Sequence, residues 1–145
     1  MSKRLNGKVA LITGGAAGFG KGTAKTFVRE GAKVYISDIN VKGGKKVSED
    51  LGVTFLEHDV TNPDRWQEVI AEIKSKENQL NILVNNAGIG YMGDVEGTTN
   101  EAWEMVHKID LDSVFYGCKY ALSLMRDSGN GSIINISSIS GIIAG

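Results

Sequence analysis

The sequence predicts an α/β protein built on a doubly wound parallel sheet, and three observations carry that prediction. Short apolar runs alternate with longer segments of helical period. The short runs are apolar throughout, as strands covered on both faces must be. Gly accounts for 19 of the 145 residues while Pro occurs once, at Pro63, so the glycines mark tight turns between ordered segments rather than low-complexity sequence.

The elements follow in order. Val9-Ala10-Leu11-Ile12-Thr13 reads as a buried strand. A Gly-rich turn leads into a helix with Ala24, Phe27 and Val28 on one face, stopped at Gly31. Lys33 to Ser37 is a second strand, ending at Asp38. A lysine-rich helix over Val41–Leu51 and a strand over Val53–Leu56 come next. Asn62 is a helix N-cap with Pro63 at the first helical position, and Trp66, Val69, Ile70 and Ile73 keep helical spacing. A strand follows at Asn81–Asn85. Thr98 and Glu101 have capping-box spacing and open one long helix through Trp103, Val106, Leu111, Val114, Phe115, Cys118, Leu122 and Met125. Gly131–Ser137 is the fifth strand. Right-handed crossovers place these strands in the order 3-2-1-4-5, in one domain over 1–145 that stops just after its fifth strand.

Composition excludes several classes. Sixteen basic and 17 acidic side chains leave a net charge of −1 with no basic stripe, so no nucleic-acid partner is expected. No apolar run reaches the length of a membrane span, and the basic start from Met1 to Gly7 lacks the apolar stretch of a secretory signal. A soluble cytoplasmic protein is the expectation. Cys118, the single cysteine, reads as a small core side chain. His58 and His107 have no motif around them and read as surface or structural residues. No metal site is expected.

The first turn, Thr13-Gly14-Gly15-Ala16-Ala17-Gly18-Phe19-Gly20, joins a strand to a helix. Glycines there let the backbone approach a pyrophosphate, which the free N–H groups and the helix dipole stabilise. Lys21 lacks the spacing and the following Ser or Thr of a P-loop, which argues against an NTPase. The spacing Gly-x-x-x-Gly-x-Gly after Thr13 resembles the cofactor motif of the short-chain dehydrogenase/reductase family. Asp59-Val60, Asn85-Asn86-Ala87-Gly88 and Asn135-Ile136-Ser137-Ser138 resemble that family in order and spacing, so the resemblance covers essentially the whole chain. Phe115-Tyr116-Gly117-Cys118-Lys119 resembles the subgroup that acts on secondary alcohols and ketones.

A Rossmann-type sheet and a nicotinamide cofactor are what the resemblance implies. Gly14, Gly18, Phe19 and Gly20 would hold its pyrophosphate. Asp38 lies about 20 residues beyond the turn, where a carboxylate accepts hydrogen bonds from an adenosine ribose and repels a 2′-phosphate. By itself, an Asp at a strand end is as readily a turn cap. Ala16, Ala17, Ile39 and Asn40 bring no positive charge, so NAD is preferred over NADP. The family would place Asp59 and Val60 on either side of the adenine, and Asn86, Ala87 and Gly88 along the ribose, with Asn86 also bracing the sheet.

The resemblance implies two catalytic residues here. Ser138 would hydrogen-bond the substrate oxygen and stabilise charge developing on it. Asp110 stands where the family usually has an Asn that holds a water of the proton relay; an Asp can hold a water but adds negative charge. The family's proton donor is a Tyr roughly a dozen residues past this Ser, with a Lys four residues further on. The chain ends at Gly145, before either position, and Tyr91, Tyr116 and Tyr120 have no Lys at +4. The expectation is an N-terminal part of an oxidoreductase that moves a hydride between NAD(H) and a secondary alcohol or ketone, inactive on its own. A sugar-nucleotide epimerase or dehydratase on the same fold is the second enzyme reading. A nucleotide-binding regulator or inactive homologue is the rival from another class, and a Tyr-x-x-x-Lys further along the full-length protein would separate it from the enzyme. The resemblance also implies a homodimer or homotetramer joined through the long helix, with Tyr116 and Tyr120 partly outside its core-facing stripe.

Overall fold

The structure, a computed structural model, describes residues 3–142. Its elements are β1 (Val9–Thr13), α1 (Gly18–Arg29), β2 (Lys33–Asp38), α2 (Val41–Leu51), β3 (Thr54–Glu57), α3 (Pro63–Glu77), β4 (Ile82–Asn85), α4 (Asn100–His107), a π-helical turn (Lys108–Asp112), α5 (Ser113–Asp127), β5 (Ser132–Asn135) and a 3-10 turn (Ile139–Gly141). The five strands form one parallel sheet in the order β3-β2-β1-β4-β5, as the sequence predicts. All five therefore end on the same side.

Residue parity along the strands divides the core. Val9, Leu11, Tyr35 and Leu83 point to one face and pack with Trp66, Val69 and Ile73 of α3 and Ala121 and Leu124 of α5. Ala10, Ile12, Val34, Ile36 and Val84 point to the other, against Ala24 of α1 and Val47 of α2. β5 is at the sheet's edge and is less covered. Ile133 packs into the first cluster, whereas Ile134 is exposed. The cap at Asn62 forms as expected, its Oδ1 accepting from the N–H groups of Asp64 at 2.9 Å and Arg65 at 3.2 Å.

The long helix expected from Thr98 to Met125 is corrected in two ways. Its cap is Thr99, whose Oγ1 accepts from Ala102 N at 3.2 Å, because the Thr98 hydroxyl is engaged in donating to Asp94 O at 2.6 Å. The helix is also divided by the π turn, which shifts the angular register of everything after it. Ser113, Gly117, Ala121 and Leu124 of α5 face the core, while Trp103, Leu111, Phe115 and Leu122, expected along one continuous helix, are exposed. Tyr116 and Tyr120 are half-buried and pack against the core cluster without belonging to it, in keeping with a place partly outside the core-facing stripe. Cys118 is half-buried, near the Asn85 amide. Among the described residues no helix is long and apolar enough to cross a membrane.

Candidate functional site

The carboxyl ends of β1 to β4 open into a cleft of about 420 Å³. Its lining gathers Gly14, Gly18, Phe19, Asp38, Ile39, Asp59, Val60, Asn86, Ala87 and Gly88, with Ala17, His58, Ile89 and Ile109. Sequence positions from Gly14 to Ile109 meet here because parallel strands deliver their ends to one side.

The phosphate loop is built for close approach. Gly14 takes φ +65° and Gly18 φ +51°, and a Cβ on Gly14 would lie 2.9 Å from both Ala87 Cα and Asn86 Nδ2. Gly20 lies inside this packing rather than on the cleft wall, since a Cβ there would collide with Gly14 O. Ala17, at the cap of α1, offers no side-chain acceptor, so the first-turn N–H groups remain directed at whatever occupies the cleft. Phe19 stands out at the cleft mouth, 85% exposed.

Asp38 closes the far side of the loop. Its Oδ2 accepts from Ala16 N at 3.1 Å and its Oδ1 from Asn40 N at 2.9 Å. It is thus a turn cap and a carboxylate on the cleft wall at once, with lone pairs left on both oxygens. Asp59 Oδ1 accepts from the backbone N–H of Thr61 at 2.9 Å and from its hydroxyl at 2.7 Å, which orients the carboxylate beside Val60.

Asn86 is a brace. Its Nδ2 donates to Thr13 O at 2.9 Å and Gly14 O at 3.2 Å. Thr13 Oγ1 in turn accepts from Asn86 N and Ala87 N, each at 3.0 Å. Thr13 is a residue the site reading did not include; its signal was a hydroxyl at the end of an otherwise apolar strand. His58 was also missed as a cleft residue, because an isolated His carries no motif. It is a structural histidine, 1% exposed, and burial with the nearby Arg65 charge pushes its pKa down to about 4.

Asp110 and Ser138 do not line the cleft. Asp110 is exposed in the π turn, where its Oδ1 accepts from Ile89 N at 2.9 Å and faces Gly88. Trp103, on the preceding helix α4, is 62% exposed and stacks on His107. Ser138 is exposed just past β5, on the same side of the sheet as the cleft. Among the described residues no group of three or more His, Cys, Asp or Glu is arranged to hold a metal.

This arrangement fits a dinucleotide. Backbone donors, a glycine at Gly14 without room for a Cβ and a carboxylate at the second strand end meet in one open cleft.

The family model for short chain dehydrogenases matches residues 8–145. The chain is 44% identical over 142 residues to a 3-beta-hydroxysteroid dehydrogenase of Comamonas testosteroni, covering 97% of this chain and 56% of that protein. It is 38% identical to an NADP-dependent (R)-specific alcohol dehydrogenase of Lentilactobacillus kefiri, with coverages of 99% and 59%. It is 39% identical to a cyclopentanol dehydrogenase of Comamonas testosteroni, with coverages of 97% and 58%. The chain spans a little over half the length of these relatives. With the motifs, the sheet order and the cleft in agreement, the chain belongs to the short-chain dehydrogenase family.

Proposed function

We propose that the full-length protein is an NAD(H)-dependent oxidoreductase that interconverts a secondary alcohol and a ketone. The observation that carries the cofactor choice is Asp38, whose carboxylate stands on the cleft wall beside the phosphate loop with no cation among its cleft neighbours. A 2′-phosphate there would bring two like charges together in a partly desolvated site. One relative is named as NADP-dependent, and the NAD reading for the present chain is supported by this carboxylate. Two relatives are named for alcohols whose carbinol carbon lies in a ring, which makes cyclic secondary alcohols the first substrates to try.

The residues divide the work. Gly14, Gly18 and Phe19 bring backbone N–H groups to the pyrophosphate, and Gly20 lets the turn pack closely behind them. Asp38 accepts from the ribose hydroxyls, and Asp59 and Val60 flank the adenine. Asn86, Ala87 and Gly88 run along the second ribose. The bound cofactor supplies the hydride chemistry. Ser138 donates a hydrogen bond to the substrate oxygen. No Tyr-x-x-x-Lys occurs within the 145 residues, so in this reading they lack the general acid–base of the reaction and should show no turnover by themselves.

Titrating NADH and NADPH against the full-length protein by fluorescence, and assaying cyclopentanol and a 3-hydroxysteroid with NAD+, tests the proposal. NADH should bind much the tighter, and Asp38→Ala should narrow the gap. Equal affinities would overturn the cofactor choice. Tight binding with no turnover across cyclic and open-chain secondary alcohols would favour a non-catalytic nucleotide-binding protein.

A further inference from the structure

Ser37 and His58 are buried, at 0% and 1% exposure, and each stands one residue before a cleft carboxylate, Asp38 and Asp59. Ser37 Oγ lies 3.0 Å from His58 Nδ1, and beside that contact His58 N donates to Asp38 O at 3.0 Å. Two hydrogen bonds therefore tie the end of β2 to the residue following β3. Trp66 supports the same junction. It meets the His58 ring edge-on, with centroids 4.4 Å apart, and its Nε1 donates to Val60 O at 2.9 Å.

The hydrogen-bond inventory assigns the tautomer. Burial keeps the ring neutral, so it carries one N–H. If the Ser37 hydroxyl donates to Nδ1, the proton is on Nε2, and Nε2 alone lacks a partner. The other tautomer would leave both the Ser37 hydroxyl hydrogen and Nε2 unmet, so the first is favoured. A phenyl ring there would bring no unmet N–H, but it would leave the buried Ser37 hydroxyl without its acceptor. The imidazole thus holds Ser37 while leaving one buried ring nitrogen unmet, and its use at a cleft wall points to a positional role.

We propose that His58, held by Ser37, is a positioning residue for the adenosine half of the nucleotide, setting the spacing between Asp38 on one side and Asp59-Val60 on the other. The proposal rests on the nucleotide reading above.

The test compares the full-length protein with its His58→Phe, Ser37→Ala and His58→Asn variants. ADP-ribose and NADH binding, cofactor KM, kcat and Tm at pH 7 are measured. His58→Phe and Ser37→Ala each remove the hydrogen bond, whereas His58→Asn keeps an acceptor close to the Nδ1 position. The first two should weaken ADP-ribose and NADH together by about fivefold to tenfold. The loss should fall on cofactor KM rather than kcat and should exceed what any change in Tm accounts for. His58→Asn should recover most of the affinity. If His58→Phe fails to fold, Ser37→Ala carries the comparison. Unchanged ADP-ribose binding in Ser37→Ala, or losses that simply follow Tm, would overturn the proposal. A parent protein that binds neither NADH nor ADP-ribose would instead overturn the nucleotide reading on which it rests.

Discussion

Asp110 Oδ1 accepts the backbone N–H of Ile89 at 2.9 Å, tying the π-helical turn to the loop that leaves β4. That loop carries Asn86, Ala87 and Gly88 into the cleft, so a side chain outside the cleft helps to set its wall. Asp110→Ala in the full-length protein should weaken NADH binding about fivefold, the value of one hydrogen bond to a partly exposed group. Asp110→Asn keeps an acceptor and should bind within about twofold of the parent. Isothermal titration separates these outcomes, and equal affinity in Asp110→Ala would show that the bond does not shape the loop.

The glycines of the first turn and helix should respond oppositely to alanine. Gly14 combines φ +65° with a Cβ position 2.9 Å from Ala87 and Asn86, so Gly14→Ala should cost about 1–3 kcal/mol and most of the cofactor affinity. Gly22 lies in α1 with nothing within 4 Å of a Cβ, so Gly22→Ala should stabilise by roughly 0.5–1 kcal/mol. Urea unfolding gives both signs, and a loss at Gly22 as large as that at Gly14 would contradict the geometry.

His58 predicts an acid limb of stability. Its pKa falls from 6.5 to about 4 on folding, so between those values the unfolded chain binds a proton that the folded chain does not. The stability at pH 7 should therefore be lost progressively as pH falls from about 6.5 towards 4, by an amount on the order of 3 kcal/mol for this group. His58→Phe should flatten that part of the profile relative to the parent. Parallel profiles for the two proteins between pH 7 and 4.5 would show that His58 does not contribute.

Association should use the outer face of α4 and α5. Trp103, Leu111, Phe115 and Leu122 are exposed there, with Lys119 Nζ 5.6 Å from the Phe115 ring centre. A second copy of the protein, meeting this face across a two-fold axis, is the partner that the family resemblance implies. Light scattering on the full-length protein should give a dimer or tetramer at micromolar concentration, and Phe115→Glu with Leu111→Glu should reduce it. A parent that is monomeric would remove the face from consideration.

The site was legible where its chemistry is local. Gly14, Gly18 and Gly20 and the strand-end Asp38 could be read because a phosphate turn needs that spacing between a strand and a helix. The element order was legible for a similar reason: apolar runs and helical periods record which faces are buried, and right-handed crossovers leave few ways to connect them. By itself, then, the sequence determined the parallel sheet, its strand order and the phosphate turn. Tertiary structure decided which residues of the long helical segment are buried. After the π turn, Gly117 rather than Phe115 faces inward, because only a residue without a Cβ fits against Trp66 and Asn85, and those neighbours come from distant elements. Tertiary structure likewise made His58 a cleft residue and Thr13 a brace. Their partners Ser37, Trp66, Asn86 and Ala87 are brought to them by sheet pairing and α3 packing, which no local spacing encodes.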